Sequence, residues 1–510
     1  MNIIEAVHIK TASVREKADV VVVGSGAGGA VMAYELAAAG KKVVLLEAGP
    51  YVPSTAFNEN YADMFDRLFV DKARQTNVDG DLNILQGSCV GGSTVVNATV
   101  ALRVPDWILE QWHEEFGVEG MGPAELGPKF DLVEKRLWIH ANQPHEINQN
   151  SQLMKRGCEA LGWSVRPTPR NIKNCALAGY CMAGCRYDRK QSMLVTYVPW
   201  AIEKGARVYA DARVEEIRME GGRATGVGAV IRDPRTGRMK ATLVVEADAV
   251  VLAAGAVQTP LLLLKNGVAN SSGQVGLNFS CHPSLNIIGV FEAVVKGWEG
   301  ALQGVLCDEF APDDKGGVLF QGACPDAFLL NGFSVPGIGS ECVPLARRAD
   351  HMTNMVQLNH DANVGRVYLE DGMKKIEYRV SPEDRERMRK GFKAGARIWF
   401  AAGAKEVVLP TIIPTVLRSE KDLDLVDDMP MEPGDLSMLS YHPQGSCRMG
   451  ADPAKTVVNS WGQCHDVPNL VVADASIFPT SVLVNTQLPV YVAATHFADL
   501  MNQEPERYFG

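Results

Sequence analysis

Two stretches of this chain combine residue types and spacings that suit chemistry: a glycine run near the start and a cysteine cluster near residue 180. In Gly24-Ser25-Gly26-Ala27-Gly28-Gly29, Gly24 permits a tight turn, Gly26 lets the backbone approach a pyrophosphate, and Gly29 lets helix and strand pack closely. A helix starting there offers free N–H groups to the anion. Glu47 follows at the end of the next apolar run, where a carboxylate accepts hydrogen bonds from ribose hydroxyls. Cys175, Cys181 and Cys185 lie close together in a chain that has only 11 cysteines in 510 residues. Their spacing lacks the CxxC pairs of structural zinc. Besides zinc, two plain readings are open: reduced thiols packing as small hydrophobes, or a disulfide with one thiol left over.

The elements that must position the glycines are legible around them. Val20 to Val23 is a β-branched run suited to a strand buried on both faces, and Val43 to Leu46 is a second. Between them, small and apolar residues from Gly28 onward predict a packed helix that Gly40 ends. The order strand, glycines, helix, strand, acid turns a weak motif into a dinucleotide site. Asp248 to Gly255 reads as another buried strand entering a tight turn, and no second GxGxxG unit offers a separate nicotinamide site, which favours FAD. Further on, Lys375 to Val380 alternates as a strand of a sheet and Pro382 to Ala402 as an amphipathic helix. Tyr51 to Leu82 has no clear period and reads as a lid or an interface arm.

Bulk properties exclude several classes. A chain of 510 residues exceeds what one hydrophobic core supports, so two or more domains are expected. With 46% hydrophobic and 22% charged residues, disordered and fibrous classes are excluded. The net charge of -10 is thinly spread and no Lys/Arg block is present, which argues against a nucleic-acid partner. Met1 to Lys17 lacks the apolar core of a secretory signal, and Ala247 to Leu264 is broken by Gly255, Gln258 and Pro260, so no transmembrane segment is expected. The expected location is cytoplasmic, or periplasmic only if the chain is exported with a partner.

From Asp19 to near Met501 the sequence resembles the glucose-methanol-choline family of FAD-dependent oxidoreductases. Besides the glycine unit, the resemblance lies in Gly87 to Asn97, in Gly255 to Leu264, in Val275 to Asn278 with His282-Pro283, in His442-Pro443-Gln444-Gly445-Ser446-Cys447-Arg448-Met449-Gly450, and in Asn469 to Asn485. It implies that His442 is the catalytic histidine, Asn485 its polar partner and Asp474 a cofactor contact, although Asp474 also suits a helix N-cap. It further implies that Gly92 and Asn97 lie against the flavin and that backbone groups at Val214 meet the adenine, where a generic strand residue is the rival reading. Val96 stands where some relatives bond FAD covalently through a histidine, so noncovalent FAD is expected. Ser88, Asn266, Ala269 and Cys281 depart from the family pattern.

The fold implied is α/β: a Rossmann-type FAD-binding domain from 1–140, 195–280 and 440–510, a cysteine-containing excursion at 141–194, and a mixed-sheet α+β substrate domain at 281–439. The activity implied is oxidation of an alcohol or sugar. A neutral imidazole, with an ordinary pKa of about 6.5, suits removal of the hydroxyl proton while the flavin takes the α-hydride. The cysteine spacing resembles that of glucose dehydrogenases of the family, in which three cysteines hold a three-iron four-sulfur cluster that passes electrons to an electron-transfer subunit or cytochrome. An alcohol dehydrogenase is therefore expected ahead of an oxygen-using oxidase, an FAD-containing lyase or decarboxylase, and a noncatalytic flavoprotein subunit.

Overall fold

The computed structural model describes residues 2–323, 335, 339–362 and 365–510. β-branched residues that cannot face water on either side nucleate the first sheet: Val20, Val21, Val22 and Val23 are at most 6% exposed. They end β1 (Ser13–Val23), which is followed by α1 (Ala27–Ala38) and β2 (Val43–Leu46). β1 and β2 pair in parallel with Val20 opposite Val43, and the connection through α1 is the expected strand–helix–strand unit. α1 is apolar nearly all round because it is sandwiched between this sheet and the C-terminal helix Gln487–Gln503.

The long strand β3 (Met239–Leu252) runs parallel to β1 from Thr242 to Leu252. Its first half also carries Arg223–Arg232 in antiparallel pairing, and its last residues pair in parallel with Val467–Val472. The result is a nine-stranded sheet whose β1 and β3 both end at the glycine turn. Helix α2 (Gly255–Asn266) leaves the end of β3.

The second sheet has seven strands, all paired antiparallel. At its centre lie β4 (Leu285–Val290), β5 (Val318–Gly322) and β6 (Met352–Asn359), with β6 between the other two. Its outer face is covered by α3 (Pro382–Ala401), whose buried Phe392, Ile398 and Trp399 pack among Ile287, Phe320 and Met355. The predicted Pro382–Ala402 helix is thus present. Within 141–194, helix Gln149–Leu161 packs on α3 and Arg166–Pro167 forms the edge of this sheet.

Two local expectations change. Met373–Glu377 pairs only with Arg366–Glu370 in a separate hairpin, because its alternating residues are mostly half-exposed and have no broad sheet face to cover. Tyr61–Leu68 is a helix inside the segment that lacked a clear period, and Tyr61, Met64, Phe65 and Leu68 form its buried stripe. Among the described residues no helix is long and apolar enough to cross a membrane.

Candidate active site

The glycine turn is built by contacts that exclude a side chain. Gly24 has φ +98°, and a Cβ on Gly29 would lie 1.8 Å from the Gly24 carbonyl oxygen. A Cβ on Gly28, which the sequence reading had not singled out, would lie 1.6 Å from the oxygen of Ala473. Gly26 differs: its nearest neighbour would be Gly92 Cα at 3.9 Å, so the protein itself leaves that space open. Gly26 caps α1 without a side-chain hydrogen bond, which leaves the first N–H groups of the helix facing the same space. These features fit a pyrophosphate.

Glu47, at the end of β2, is buried, and burial raises its pKa. Its Oε2 accepts from Ser25 N at 3.0 Å and Ser25 Oγ at 2.7 Å, and its Oε1 accepts from Gly49 N at 2.8 Å. Ser25 Oγ in turn accepts from Gly91 N at 2.9 Å, which ties the turn to the loop containing Gly92. Asp474 Oδ2 accepts from Gly255 N (2.9 Å) and Thr259 Oγ1 (2.6 Å), and its Oδ1 from Ser476 N (2.8 Å). The carboxylate therefore caps one short helix and fastens the start of α2 at once. Asn97 Nδ2 donates to Gln487 Oε1 at 2.8 Å.

A cavity of about 770 Å³ lies between the two sheets. Gly24, Gly26, Glu47, Gly92, Asn97, Val214, Asp474, His442 and Asn485 all line it, as does Val96. Gly29 does not; it packs behind the turn. The helix Tyr61–Leu68 and the residues after it contribute Phe65, Phe69 and Val70 to the wall.

His442 and Asn485 meet inside this cavity, with Asn485 Nδ2 at 3.1 Å from His442 Nε2. The other end of the Asn485 amide accepts from Gln321 Nε2 at 2.6 Å. Behind His442 stands a second buried imidazole, His282, which the sequence reading had met only as part of a motif. Gln444 is pinned by two backbone groups: Val482 N donates to its Oε1 (3.1 Å) and its Nε2 donates to His442 O (3.3 Å). That amide nitrogen also faces His282 Nε2 at 3.0 Å. The two Nδ1 atoms face each other at 3.4 Å, beyond the usual hydrogen-bond range. His442 Nε2 is the ring nitrogen on the side of Asn485 and the cavity. Burial pushes the pKa of His442 down to about 4, and burial, His442 and His360 push that of His282 well below its ordinary value. Both rings are neutral at neutral pH.

His282 holds a left-handed backbone, φ +45°, which a non-glycine residue adopts at a cost. Asp361 secures it by accepting from Cys281 N (3.0 Å) and His282 N (3.1 Å), while Tyr378 Oη donates to the same carboxylate at 3.1 Å. No local motif marks Asp361, because the two backbone groups that it secures are about 80 residues away.

The expectation of an iron–sulfur cluster at the cysteines finds no support. Cys175, Cys181 and Cys185 line a common cavity of about 30 Å³, room for about two water molecules and not for a seven-atom cluster. Among the described residues no three His, Cys, Asp or Glu side chains are placed to hold a metal ion. Buried cations occupy the surroundings: Lys190 Nζ donates to the carbonyls of Val95 (2.5 Å), Asn97 (2.9 Å) and Cys181 (2.7 Å), and Arg170 Nη2 lies 3.8 Å from Cys181 Sγ. The stretch is tied to the loop of Gly92 and Asn97 through Lys190, and Met182 reaches the large cavity.

Residues 18–284 and 361–494 match the two models of the GMC oxidoreductase family. The chain is 34% identical over 486 residues to the uncharacterized GMC-type oxidoreductase Rv0492c of Mycobacterium tuberculosis, covering 95% of this chain and 75% of the relative. It is 28% identical to long-chain-alcohol oxidase FAO3 of Arabidopsis thaliana, covering 95% or more of this chain (96%) and 69% of the relative. In fold it is similar to a formate oxidase of Aspergillus oryzae RIB40 studied for modification of its FAD, with a TM-score of 0.71 at 18% identity over 98% of this chain and 100% of that one.

Proposed function

The chain belongs to the GMC oxidoreductase family, and we propose that it oxidises an alcohol with His442 as base and with FAD held noncovalently. The observation that carries this reading is the meeting of His442 and Asn485 at 3.1 Å in the cavity that Gly26, Glu47 and Asp474 also line. Bound FAD supplies a two-electron acceptor for the substrate hydride. His442 Nε2, unprotonated at neutral pH, takes the hydroxyl proton. The Asn485 amide stands beside it and donates to the substrate oxygen as negative charge develops there. Base catalysis of this kind contributes about a hundredfold to ten-thousandfold. Gly26 and the first turn of α1 would receive the pyrophosphate, Glu47 the ribose hydroxyls and the backbone at Val214 the adenine. Val96 offers no nucleophile for a covalent link.

Electron passage through a cysteine-held iron–sulfur cluster is not part of the proposal, because the cavity at those cysteines is too small. The preference for dehydrogenase over oxidase rested on that cluster and falls with it; stopped-flow reoxidation with and without dioxygen assigns the acceptor. The reductive half is tested by adding alcohols to the anaerobic enzyme. Bleaching of the flavin is expected, at least about a hundredfold slower in His442→Ala. A flavin left yellow by every alcohol defeats the reading.

A further inference from the structure

The face that the seven-stranded sheet turns toward the flavin cavity is unusual in its chemistry. Because side chains alternate along a strand, Ile287, Phe320 and Met355 turn to α3, while Asn286, Gln321, Asn354 and Val356 line the cavity. Asn286, Val356 and Gln321 stand directly opposite one another across β4, β6 and β5. Asn354 lies two residues along β6 on the same face. The three carboxamides are 4%, 1% and 0% exposed for Asn286, Gln321 and Asn354. Burying such groups is costly unless they are hydrogen-bonded, and here each of two amides is bonded at one end only. Asn286 Oδ1 accepts from Asn354 Nδ2 at 2.7 Å and Gln321 Nε2 donates to Asn485 at 2.6 Å. The other end of each amide has no partner among the described residues and is not sealed off from the cavity. The free end of Gln321 thus belongs to the amide that is bonded to Asn485, and that of Asn286 stands across Val356 from it.

Charge is absent from this end. Among the described residues of the sheet and of the His442 segment that line the cavity, none is Lys, Arg, Asp or Glu. At the rim, Lys374 Nζ is engaged by Asp71 Oδ2 and Gln75 Oε1, both at 2.6 Å.

We propose that the substrate is a neutral polyol, oxidised at one hydroxyl beside His442 while further hydroxyls pair with the free amide ends of Asn286 and Gln321. The inference rests on the hydride-transfer reading above. A long aliphatic chain laid on this face would leave both amide ends unpaired, whereas a polyol satisfies them, with Leu302, Val356 and Leu358 against its C–H surface. Sites built to hydrogen-bond a hydroxyl reject analogues that lack it.

The test compares anaerobic flavin reduction by pairs of equal carbon number: myo-inositol against cyclohexanol, and sorbitol against 1-hexanol, with 1-decanol as the aliphatic arm. At least one polyol is expected to exceed its monohydric partner by about a hundredfold or more in kcat/KM. Asn286→Leu, with the same branching and number of side-chain heavy atoms, is expected to lower that value tenfold or more while leaving the monohydric alcohols within about twofold and the FAD content unchanged. Asn286→Ala serves as a second variant if the first does not fold, since Asn286 bonds Asn354 and not Asn485. Preference for 1-hexanol or 1-decanol in the wild type overturns the polyol assignment and leaves the hydride reading intact. An equal loss for both substrate sets in the variant also overturns it. If no alcohol of either set reduces the flavin, the hydride reading itself fails.

Discussion

The sharpest prediction concerns the acid limb of flavin reduction. His442 is buried, with its neighbours Asn485 and His282 both uncharged, and burial pushes its pKa down to about 4. The neutral ring is the base, so activity is lost only when pH falls toward that value. At pH 5 a group with pKa about 4 keeps about nine-tenths of its basic form, whereas an ordinary imidazole at about 6.5 keeps about 3%. The two cases differ about thirtyfold at pH 5. The assay is anaerobic stopped-flow bleaching across pH 5 to 8, with kcat/KM as the readout because it reports the free enzyme. A nearly flat profile is expected in the wild type, together with a loss of about a hundredfold or more at every pH in His442→Ala. A fall centred near pH 6.5 would refute the burial argument, and a wild-type rate in the variant would remove His442 from the chemistry.

Other outcomes follow from the same contacts. Gly26→Ala should fold, because its Cβ has no neighbour nearer than 3.9 Å, yet should lose FAD on gel filtration, whereas Gly28→Ala, with a Cβ 1.6 Å from Ala473 O, should not give soluble folded protein; FAD retained by the first variant would displace the pyrophosphate from the proposal. The purified protein should contain flavin bands without an iron–sulfur shoulder and no stoichiometric iron, and iron at three atoms per chain would show that the small cavity opens in solution. Stability should also fall in acid: the folded pKa of His442 lies below the unfolded value, so the unfolded chain binds more protons and stability drops as pH falls from about 6.5 to about 4. For His442 the loss is on the order of 3 kcal/mol, and chemical denaturation of His442→Gln at pH 7 and pH 4.5 should give a smaller difference than the wild type; an equal difference would refute it.

The sequence by itself determined whatever depends on near neighbours. A β-branched run, a helix of small residues and glycines where φ is positive or a Cβ cannot fit are local demands, so β1, α1 and β2 fall where the pattern puts them. The α3 helix was legible for the same reason, its period of apolar residues being set by the helix itself. The motifs around Gly92, Asp474, His442 and Asn485 named residues that line the cavity, through a resemblance and not through any local rule. What only the tertiary structure decided involves partners far apart in the chain. Asp361 holds the backbone of His282, Gln444 faces that ring, and Asn286, Gln321 and Asn354 become one face only when β4, β6 and β5 pair in register. The cysteines show the converse: proximity in sequence suggested a ligand set, yet the backbone around them closes to about 30 Å³. Spacing along a chain constrains dihedral angles and periodicity, whereas cavity size, proton position and the pairing of buried amides depend on long-range packing that no short window of residues contains.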